Sequence, residues 1–274
     1  YLTALVLGLL IPMTIIYLLE LFNNKIKTKH DLDKLTNGKN IIGEIPRLTK
    51  GEEELIKPND RSAIAESFRI IITNMRFILP KTDKGSVILV SSTVKGEGKT
   101  FVAVNLALTL ASKTKKTILI GSDIRNPQLQ RYSEDRKNLK GLTEYLCEEV
   151  NDYKDIIHKS NINPHLEIIF SGAIPPNPTE LLNNGRFQKL VNDLKEEYHY
   201  IVIDTAPLLL VTDTFLITDT ADLTLYVTRS NYTEKGLIDF ARKIIDEEKI
   251  KNVGFVLNDV EHDYFGYGNK YGYG

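Results

Sequence analysis

The sequence is poor in the residues that build disulfide or thiolate metal frameworks, and its charges nearly cancel. It contains one cysteine, Cys147, two methionines and no tryptophan in 274 residues. A single cysteine excludes an intramolecular disulfide framework and a four-thiolate zinc site. The chain has 35 Lys+Arg against 36 Asp+Glu, a formal net charge of -1. This excludes a protein that binds nucleic acid through its total charge alone. Hydrophobic residues make up 42% of the chain, enough for a sizeable core.

The first residues of the sequence are apolar and uncharged. No charged residue occurs from Tyr1 to Leu19, and this length is close to the roughly 20 residues that a bilayer core requires. We therefore predict a transmembrane helix over residues 1–24, in which Pro12 would be tolerated. A buried core helix is the alternative. A secretory signal peptide fits less well, because no basic segment precedes the run and no small-residue cleavage site follows it.

Basic residues follow the apolar run directly, at Lys25, Lys27 and Lys29. An excess of lysine beside a membrane segment marks the cytoplasmic side, so we predict that the rest of the chain lies in the cytoplasm. Residues 25–60 are charged and contain turn signals, which predicts a juxtamembrane linker with some order around Ile41–Pro46. Because the chain starts inside an apolar run without an initiator methionine, we expect it to be the C-terminal part of a longer membrane protein.

Helical and strand patterns alternate beyond residue 60. Asp60 or Ser62 is suited to cap a helix that runs to about Leu79, before Pro80. Short, continuous apolar runs follow at residues 86–92, 117–121, 166–170, 200–204, 223–228 and 253–258. Apolar strands separated by helices are typical of a parallel sheet buried on both faces. We therefore predict a doubly wound, mostly parallel α/β domain over residues 61–260.

The strongest motif follows the first of these strands. The sequence TVKGEGKT matches the phosphate-binding pattern G-x-x-x-x-G-K-[ST] at every fixed position except the first, where Thr93 replaces glycine. Gly96 and Gly98 allow the backbone to turn N–H groups towards a phosphate at a helix N-terminus. Lys99 would neutralise phosphate oxygens, and the Thr100 hydroxyl would bind Mg²⁺. The alternative is a glycine-rich turn that binds nothing.

Two further predicted strands are followed by carboxylates. Asp204 ends the run YIVID, and Asp123 and Arg125 come just after the run TILIG. Ligands of doubly wound sheets bind at the carboxyl ends of strands, so Asp204 is placed to hold the magnesium of a nucleotide. An aspartate there can also simply cap the next helix. For Asp123 and Arg125 taken alone, composition favours a polar surface loop with an ion pair.

These motifs, in this order and spacing, resemble those of the bacterial tyrosine autokinases (BY-kinases), the cytoplasmic parts of polysaccharide co-polymerases. The resemblance covers nearly the whole chain and includes ESFRIIITNMR at 66–76, PPNPTELL at 175–182 and VLND at 256–259. It implies a P-loop fold and a protein-tyrosine kinase that uses ATP and Mg²⁺. It also implies the bacterial inner membrane as the location, with the kinase domain in the cytoplasm.

The resemblance assigns roles to individual residues. It implies that Lys99, Asp123 and Asp204 are catalytic. It implies that Thr100, Asp123 and Asp204 hold the metal ion. The nucleotide-binding residues that it implies are Val94, Lys95, Gly96, Glu97, Gly98, Lys99, Thr100, Phe101, Arg125 and Asn258.

The sequence departs from the family pattern near Asp123 and in the phosphate loop. The family motif Asp-x-Asp-x-Arg has Gly121 in place of its first aspartate here, so Asp123 alone must bind metal or accept a proton. Lys95 gives K-G-x-G-K-T, which resembles the signature lysine of partition and septum-positioning ATPases that reaches across a dimer. A solvent-facing lysine is the alternative for Lys95.

The predicted helix before the first strand carries the family's self-assembly motif in part. The family pattern is Glu-x-x-Arg-x-x-Arg, and this sequence has Glu66 and Arg69 but Ile72 at the third position. The resemblance implies a homo-oligomeric ring held by Glu66 and Arg69.

Tyrosine is concentrated at the C-terminus. Residues 261–274 read EHDYFGYGNKYGYG and hold four of the 13 tyrosines, interleaved with glycine and free of aliphatic residues. Such a segment cannot bury itself, which predicts a flexible tail. The resemblance implies that its tyrosines are the phosphoacceptors, which are Tyr264, Tyr267, Tyr271 and Tyr273. They lie 4 to 13 residues beyond Val260, a reach of about 13 to 43 Å that includes a neighbouring subunit.

Three functional hypotheses follow. The first is an autokinase that phosphorylates the tail of a neighbouring subunit and regulates capsule or exopolysaccharide chain length and export. Its partners would be further copies of itself, the membrane through residues 1–24, the polysaccharide export machinery and a counteracting phosphatase, with no nucleic acid. The second is an ATPase that dimerises and releases like the partition ATPases, and the third is a scaffold that binds nucleotide without turnover. A eukaryotic-type kinase is excluded because the sequence contains no H-R-D or D-F-G motif.

Overall fold

The protein is described by a computed structural model over residues 1–133, 139–209, 212–262 and 264–265. Within these residues the strands are β1 (Ile41–Pro46), β2 (Ser86–Ser92), β3 (Thr117–Gly121), β4 (His158–Lys159), β5 (Leu166–Ile169), β6 (Tyr200–Asp204), β7 (Leu223–Arg229) and β8 (Val253–Val260). They form one sheet with the order β1-β8-β7-β2-β6-β3-β5-β4. Neighbouring strands are parallel except β4 and β5. The predicted mostly parallel α/β fold is confirmed.

The α-helices are α1 (Leu2–Leu21), α2 (Lys29–Thr36), α3 (Ala63–Met75), α4 (Lys99–Leu110), α5 (Leu142–Leu146), α6 (Pro178–Leu182), α7 (Arg186–Glu197) and α8 (Lys235–Asp246). The helices α3 and α4 pack on one face of the sheet and α7 packs on the other, whereas the described side chains of α1 are exposed. Successive residues of β2 point to opposite faces. Ile88 belongs to the core cluster that includes Phe68 of α3, whereas Leu89 belongs to the cluster that includes Phe187 of α7.

The six predicted strands are all present, and the structure adds β1 and β4. β4 has two residues, too few for an apolar run to be recognised. β1 contains Gly43 and Pro46, which both lower the strand signal. Gly43 is needed because a Cβ atom there would lie 2.3 Å from Cγ1 of Ile71 in α3. Close packing of β1 on α3 therefore explains a residue that weakens the sequence pattern.

The helix α3 begins where the sequence predicts. The Ser62 side chain accepts a hydrogen bond from the N–H of Ala65, and the helix ends at Met75. Backbone N–H groups of Ile78 and Leu79 then bond to the carbonyl of Met75. The helix therefore ends four residues before the predicted Leu79, and a turn carries the chain on to Pro80.

Residues 25–60 contain α2 and β1, and both pack on the domain. β1 pairs with β8 along one edge of the sheet. Ile26, Leu32, Ile45 and Ile56 are buried. This range, predicted as a linker with some order around Ile41–Pro46, therefore contributes a helix, an edge strand and core side chains to the α/β unit.

The sequence predicts a transmembrane helix over residues 1–24. Within the part of the chain that the structure describes, no helix is both long enough and apolar enough to cross a membrane.

Candidate active site

The phosphate loop joins β2 to α4 at the carboxyl edge of the sheet. It follows Ser92, and α4 begins at Lys99. Gly96 and Gly98 have φ angles of 92° and 98°, a left-handed region in which other residues are strained. The two glycines let the loop turn into the N-terminus of α4, where free N–H groups and the helix dipole favour an anion.

Lys99 and Asp123 meet in a buried ion pair. The Lys99 Nζ atom is 3.3 Å from Oδ2 of Asp123, and both side chains are about nine-tenths buried or more. The other oxygen, Oδ1, accepts the N–H of Asn126 at 3.0 Å. Asp123 is therefore part of the site and does not lie on a polar surface loop. Arg125 does lie on the surface, and its Nη2 donates to the Thr179 hydroxyl at 3.0 Å.

Asp204 lies beside this pair at the end of β6. Only 1% of its surface is exposed, and its Oδ1 has no hydrogen-bond partner among the described residues. Burial raises the pKa of Asp204 to about 6, although the charge of Lys99 and the Thr100 hydroxyl favour the ionised form. A buried carboxylate oxygen without a partner, next to a hydroxyl, is a suitable ligand for Mg²⁺.

The side chains near Asp204 provide few ligands for a metal ion. The described part of the chain contains no group of three or more His, Cys, Asp or Glu residues that could bind one. Two carboxylates and one hydroxyl fit a cation that also takes oxygens from water and from a nucleotide, as Mg²⁺ does.

A cavity of about 350 Å³ opens above these side chains. Its lining includes six of the predicted site residues beside the two loop glycines, namely Lys95, Lys99, Thr100, Phe101, Asp123 and Arg125. The side chain of Lys95 is exposed on the loop. The structure thus brings most of the predicted nucleotide-binding residues to one concave surface.

A second cavity, of about 370 Å³, adjoins the first. The two share Gly96, Gly98, Phe101 and Arg131, and the second is also lined by Asn258. The VLND motif is thereby placed next to the phosphate loop, although it lies more than 150 residues away in the sequence.

Arg131 lines both cavities and is missed by the sequence analysis. Its Nη2 donates to Oε1 of Glu54 at 2.6 Å, and the hydroxyl of Tyr132 donates to the same oxygen at 2.6 Å. Burial and the carboxylate of Glu54 raise the pKa of Tyr132. Arg131 belongs to no sequence motif. Its position in the site depends on Glu54, which lies far away in the sequence, before α3.

The side chain of Glu97 is buried and stabilises the phosphate loop from within. Its Oε2 accepts the N–H of Val94 at 2.8 Å, and its Oε1 accepts the Thr233 hydroxyl. Burial raises the pKa of Glu97, against these hydrogen bonds. Any contact of Glu97 with a ligand would therefore come from its backbone.

Thr93, which replaces the first glycine of the motif, has a structural role. It is fully buried, and its hydroxyl is 2.7 Å from the hydroxyl of Tyr226 on β7. Its carbonyl accepts the N–H of Leu209 at 3.2 Å. The side chain at this position thus connects the loop to the neighbouring strand.

Gly121 leaves no room for the aspartate that the family pattern has there. A Cβ atom on Gly121 would lie 2.7 Å from Oγ of Ser171 and 3.1 Å from Cδ2 of Leu129. The loss of the first carboxylate is therefore accompanied by close packing of β3 against the chain that follows β5.

Packing also explains where α3 departs from the family's Glu-x-x-Arg-x-x-Arg pattern. Glu66 and Arg69 are exposed and bond to each other, with 2.8 Å between Oε2 and Nη1. Ile72 is 7% exposed and belongs to the core. An arginine at position 72 would place a charge in the core, so the third position of the motif cannot be kept in this chain.

The predicted phosphoacceptors lie mostly outside the described residues. Tyr264 is described and is 46% exposed. Tyr267, Tyr271 and Tyr273 lie outside the described residues, and their role stays a prediction.

A strand, a glycine-rich loop and a helix that together present a lysine, a threonine and two buried carboxylates define a P-loop nucleotide-binding protein. A family model described as an AAA domain matches residues 85–254. The tyrosine-protein kinase CpsD of Streptococcus agalactiae is 34% identical over 209 residues, which cover 76% of this chain and 89% of that relative. The chain therefore belongs to the bacterial tyrosine-protein kinase family.

Solved structures agree with this assignment. The BceF tyrosine kinase domain is 28% identical and has a TM-score of 0.73, over 86% of this chain and 99% of that one. The septum site-determining protein MinD of Pyrococcus horikoshii, complexed with Mg-ADP, has a TM-score of 0.53 over 65% of this chain and 75% of its own. At 20% identity the likeness to MinD shows the fold alone.

Proposed function

We propose that this protein is an ATP-dependent tyrosine autokinase that phosphorylates its own C-terminal tyrosine cluster in trans. One observation carries the proposal. Lys99, Thr100 and Asp123 line one cavity at the carboxyl edge of the sheet, and the buried Asp204 lies next to them, in a chain whose residues 261–274 include four tyrosines.

ATP would bind across the two adjoining cavities. The first contains the loop glycines and Lys99, which suit the phosphates. The second contains Phe101 and Asn258, which suit a nucleobase because an aromatic ring can stack and the side-chain oxygen of an asparagine can accept a hydrogen bond. Lys99 would exchange its contact with Asp123 for the phosphate oxygens.

Thr100, Asp123 and Asp204 would hold the Mg²⁺ ion of the nucleotide. The Oδ1 atom of Asp204, which has no hydrogen-bond partner in the described part of the chain, supports this assignment. When bound, Mg²⁺ neutralises charge that develops on the phosphate oxygens.

In the transfer step, the phenolic oxygen of a tail tyrosine forms a bond to the γ-phosphorus, while the bond from that phosphorus to the bridging oxygen of ADP breaks. The phenolic proton, which has a pKa near 10 in an unperturbed tyrosine, passes to the carboxylate of Asp123. Asp123 suits this role because the N–H of Asn126 fixes its Oδ1, and its Oδ2 would be released when Lys99 turns to the phosphate oxygens. Lys99 and the loop N–H groups provide the positioning on which phosphoryl transfer chiefly depends.

The acceptor tail would come from a neighbouring subunit. Glu66 and Arg69 are exposed on α3 and available for contacts between subunits in a ring. Phosphorylated tails would repel one another and loosen the ring, since each phosphotyrosine adds about -1.5 to -2 charge.

We extend the proposal to the cellular setting. Exposed apolar side chains on α1, such as Leu9 and Met13, support an anchor in the bacterial inner membrane through residues 1–24. The kinase domain would start near Ile26, because that residue is buried, and it would lie in the cytoplasm. Phosphorylation cycles with a phosphatase would regulate export of capsule or exopolysaccharide.

A second candidate function is an ATPase switch that uses ATP to dimerise and release. The exposed Lys95 and the MinD-like fold favour it. Incubation with γ-labelled ATP separates the two functions. A kinase keeps label on residues 264–273, whereas a switch releases all of it as free phosphate, and the latter result would reject the autokinase.

A further inference from the structure

Three consecutive carbonyl groups of the phosphate loop are each held by a side chain from outside the loop. The Tyr232 hydroxyl donates to the carbonyl of Lys95 at 2.9 Å. Nη1 of Arg229 donates to the carbonyl of Gly96 at 2.9 Å. Nδ2 of Asn258 donates to the carbonyl of Glu97 at 3.0 Å.

This pattern fixes the direction of the loop N–H groups. In a trans peptide, the C=O of one residue and the N–H of the next point in opposite directions. Holding the carbonyls of residues 95, 96 and 97 therefore turns the N–H groups of Gly96, Glu97 and Gly98 away from the three donors. N–H groups turned to one side of a loop are what a phosphate requires.

The two loop glycines are shaped to admit these donors. A Cβ atom on Gly96 would lie 2.7 Å from the Tyr232 hydroxyl oxygen, and one on Gly98 would lie 2.1 Å from Nδ2 of Asn258. Glycine is thus required at both positions for two reasons, which are the positive φ angle and the close approach of a donor side chain.

The donors are themselves held in place. The guanidinium of Arg229 lies 5.1 Å from the ring centroid of Tyr232, and its Nε donates to Oδ2 of Asp259 at 3.0 Å. The other oxygen of Asp259 accepts from Arg47 at 2.9 Å. Arg229 is therefore oriented before any ligand binds, which lowers the cost of holding the loop.

We infer that Tyr232 and Arg229 are positioning residues that, together with Asn258, keep the phosphate loop in its binding conformation. This set of three donors is called the loop brace. The inference rests on the proposed function for its ligand, ATP, but the brace itself can be tested without ligand.

The decisive variant is Tyr232→Phe, which removes the hydroxyl and keeps the ring beneath Arg229. Tyr153→Phe is the matched control, because its hydroxyl donates to Glu197 at 2.7 Å, at the opposite end of β6 from the site. Full-length wild type and both variants are compared by hydrogen exchange of the peptide that covers residues 94–101, without ligand, and by calorimetric titration with ATP and Mg²⁺.

We expect Tyr232→Phe to raise both the exchange rate of that peptide and the Kd for ATP about three- to tenfold, the usual effect of losing one hydrogen bond. Tyr153→Phe should leave both within about twofold, and the unfolding temperatures of the two variants should agree. Unchanged exchange in Tyr232→Phe overturns the brace, and faster exchange with an unchanged Kd overturns its role in binding. A wild type that binds no ATP rejects the proposed function instead, and the exchange result then decides the brace alone.

Discussion

The surroundings of Asp204 do not fully offset the cost of burying its carboxylate. The residue is buried at the end of β6, and its Oδ1 has no partner among the described residues. A buried carboxylate oxygen without a hydrogen bond is costly, and the charge of Lys99 and the Thr100 hydroxyl offset the burial of Asp204 only in part. The metal–nucleotide complex proposed above would relieve this cost.

Replacing Asp204 by Asn should stabilise the protein in EDTA. Burial raises the pKa of Asp204 to about 6 from 3.8, so the folded state binds its proton more tightly than the unfolded state. Wild-type stability is therefore lost as the pH rises from about 4 through 6. Above pH 7, Asp204→Asn should have an unfolding free energy about 1–3 kcal/mol higher, and the difference should vanish near pH 4. Urea denaturation at several pH values measures it.

The control is Asp219→Asn, whose carboxylate is exposed. It should change stability by less than about 0.5 kcal/mol at every pH. An Asp204→Asn protein that is less stable than wild type at pH 8 would contradict the electrostatic account of the site.

Gly121→Ala should destabilise the protein by about 1–3 kcal/mol, because its Cβ atom would overlap Ser171. Gly236→Ala is the matched control, since a Cβ atom there meets nothing within 4 Å. Gly236 lies in the first turn of α8, where that change should stabilise by at most about 0.5–1 kcal/mol. Thermal or chemical denaturation measures the change in unfolding free energy of both variants. Equal changes in the two variants would show that β3 is not tightly packed at Gly121.

At the residue scale, contiguous motifs could be predicted from the sequence and contacts between distant segments could not. Lys99 and Thr100 follow from one run of eight residues. Arg131 and Tyr232 act through partners far away in the chain, and no local pattern marks them. The inward direction of Glu97 also depends on a distant partner, Thr233.

At the element scale, the packing of β1 indicates that the domain begins before residue 61. The strand covers the edge of β8 and packs on α3 through Gly43 and Ile71. An uncovered edge strand exposes unpaired backbone groups and favours aggregation.

We therefore expect two N-terminal deletions to behave differently. Removal of residues 1–24 should leave the unfolding temperature within about 3 °C of wild type, because it spares β1 and the buried Ile26. Removal of residues 1–46 should abolish cooperative unfolding or cause aggregation. Calorimetry and light scattering of the two proteins test this, and a stable protein without residues 1–46 would place the boundary nearer residue 61.

The elements that could be predicted are the apolar central strands. β2, β3 and β6 are buried on both faces, so continuous apolar runs mark them. The edge strands β1 and β4 are not fully buried and do not form continuous apolar runs. Their place in the sheet depends on pairing partners that the sequence does not mark.

For the whole molecule, phosphorylation of the tail should weaken self-association. Four phosphotyrosines bring about -6 to -8 charge to each subunit, which repels like-charged tails at low salt. After incubation with ATP and Mg²⁺, wild type should sediment as smaller species than a variant with Phe at Tyr264, Tyr267, Tyr271 and Tyr273. High salt should reduce the difference, and identical sedimentation of the two at low salt would contradict a charge-driven release.

The central claim is that the site around Lys99 transfers phosphate to the C-terminal tyrosines. Mass spectrometry of the peptide that contains residues 261–274 tests it most directly, after purified wild type and Lys99→Met are incubated with ATP and Mg²⁺. We predict phosphate on at least one of the four tyrosines in wild type and none in Lys99→Met. An equally phosphorylated tail in both proteins, or an unmodified tail in wild type, would contradict the account.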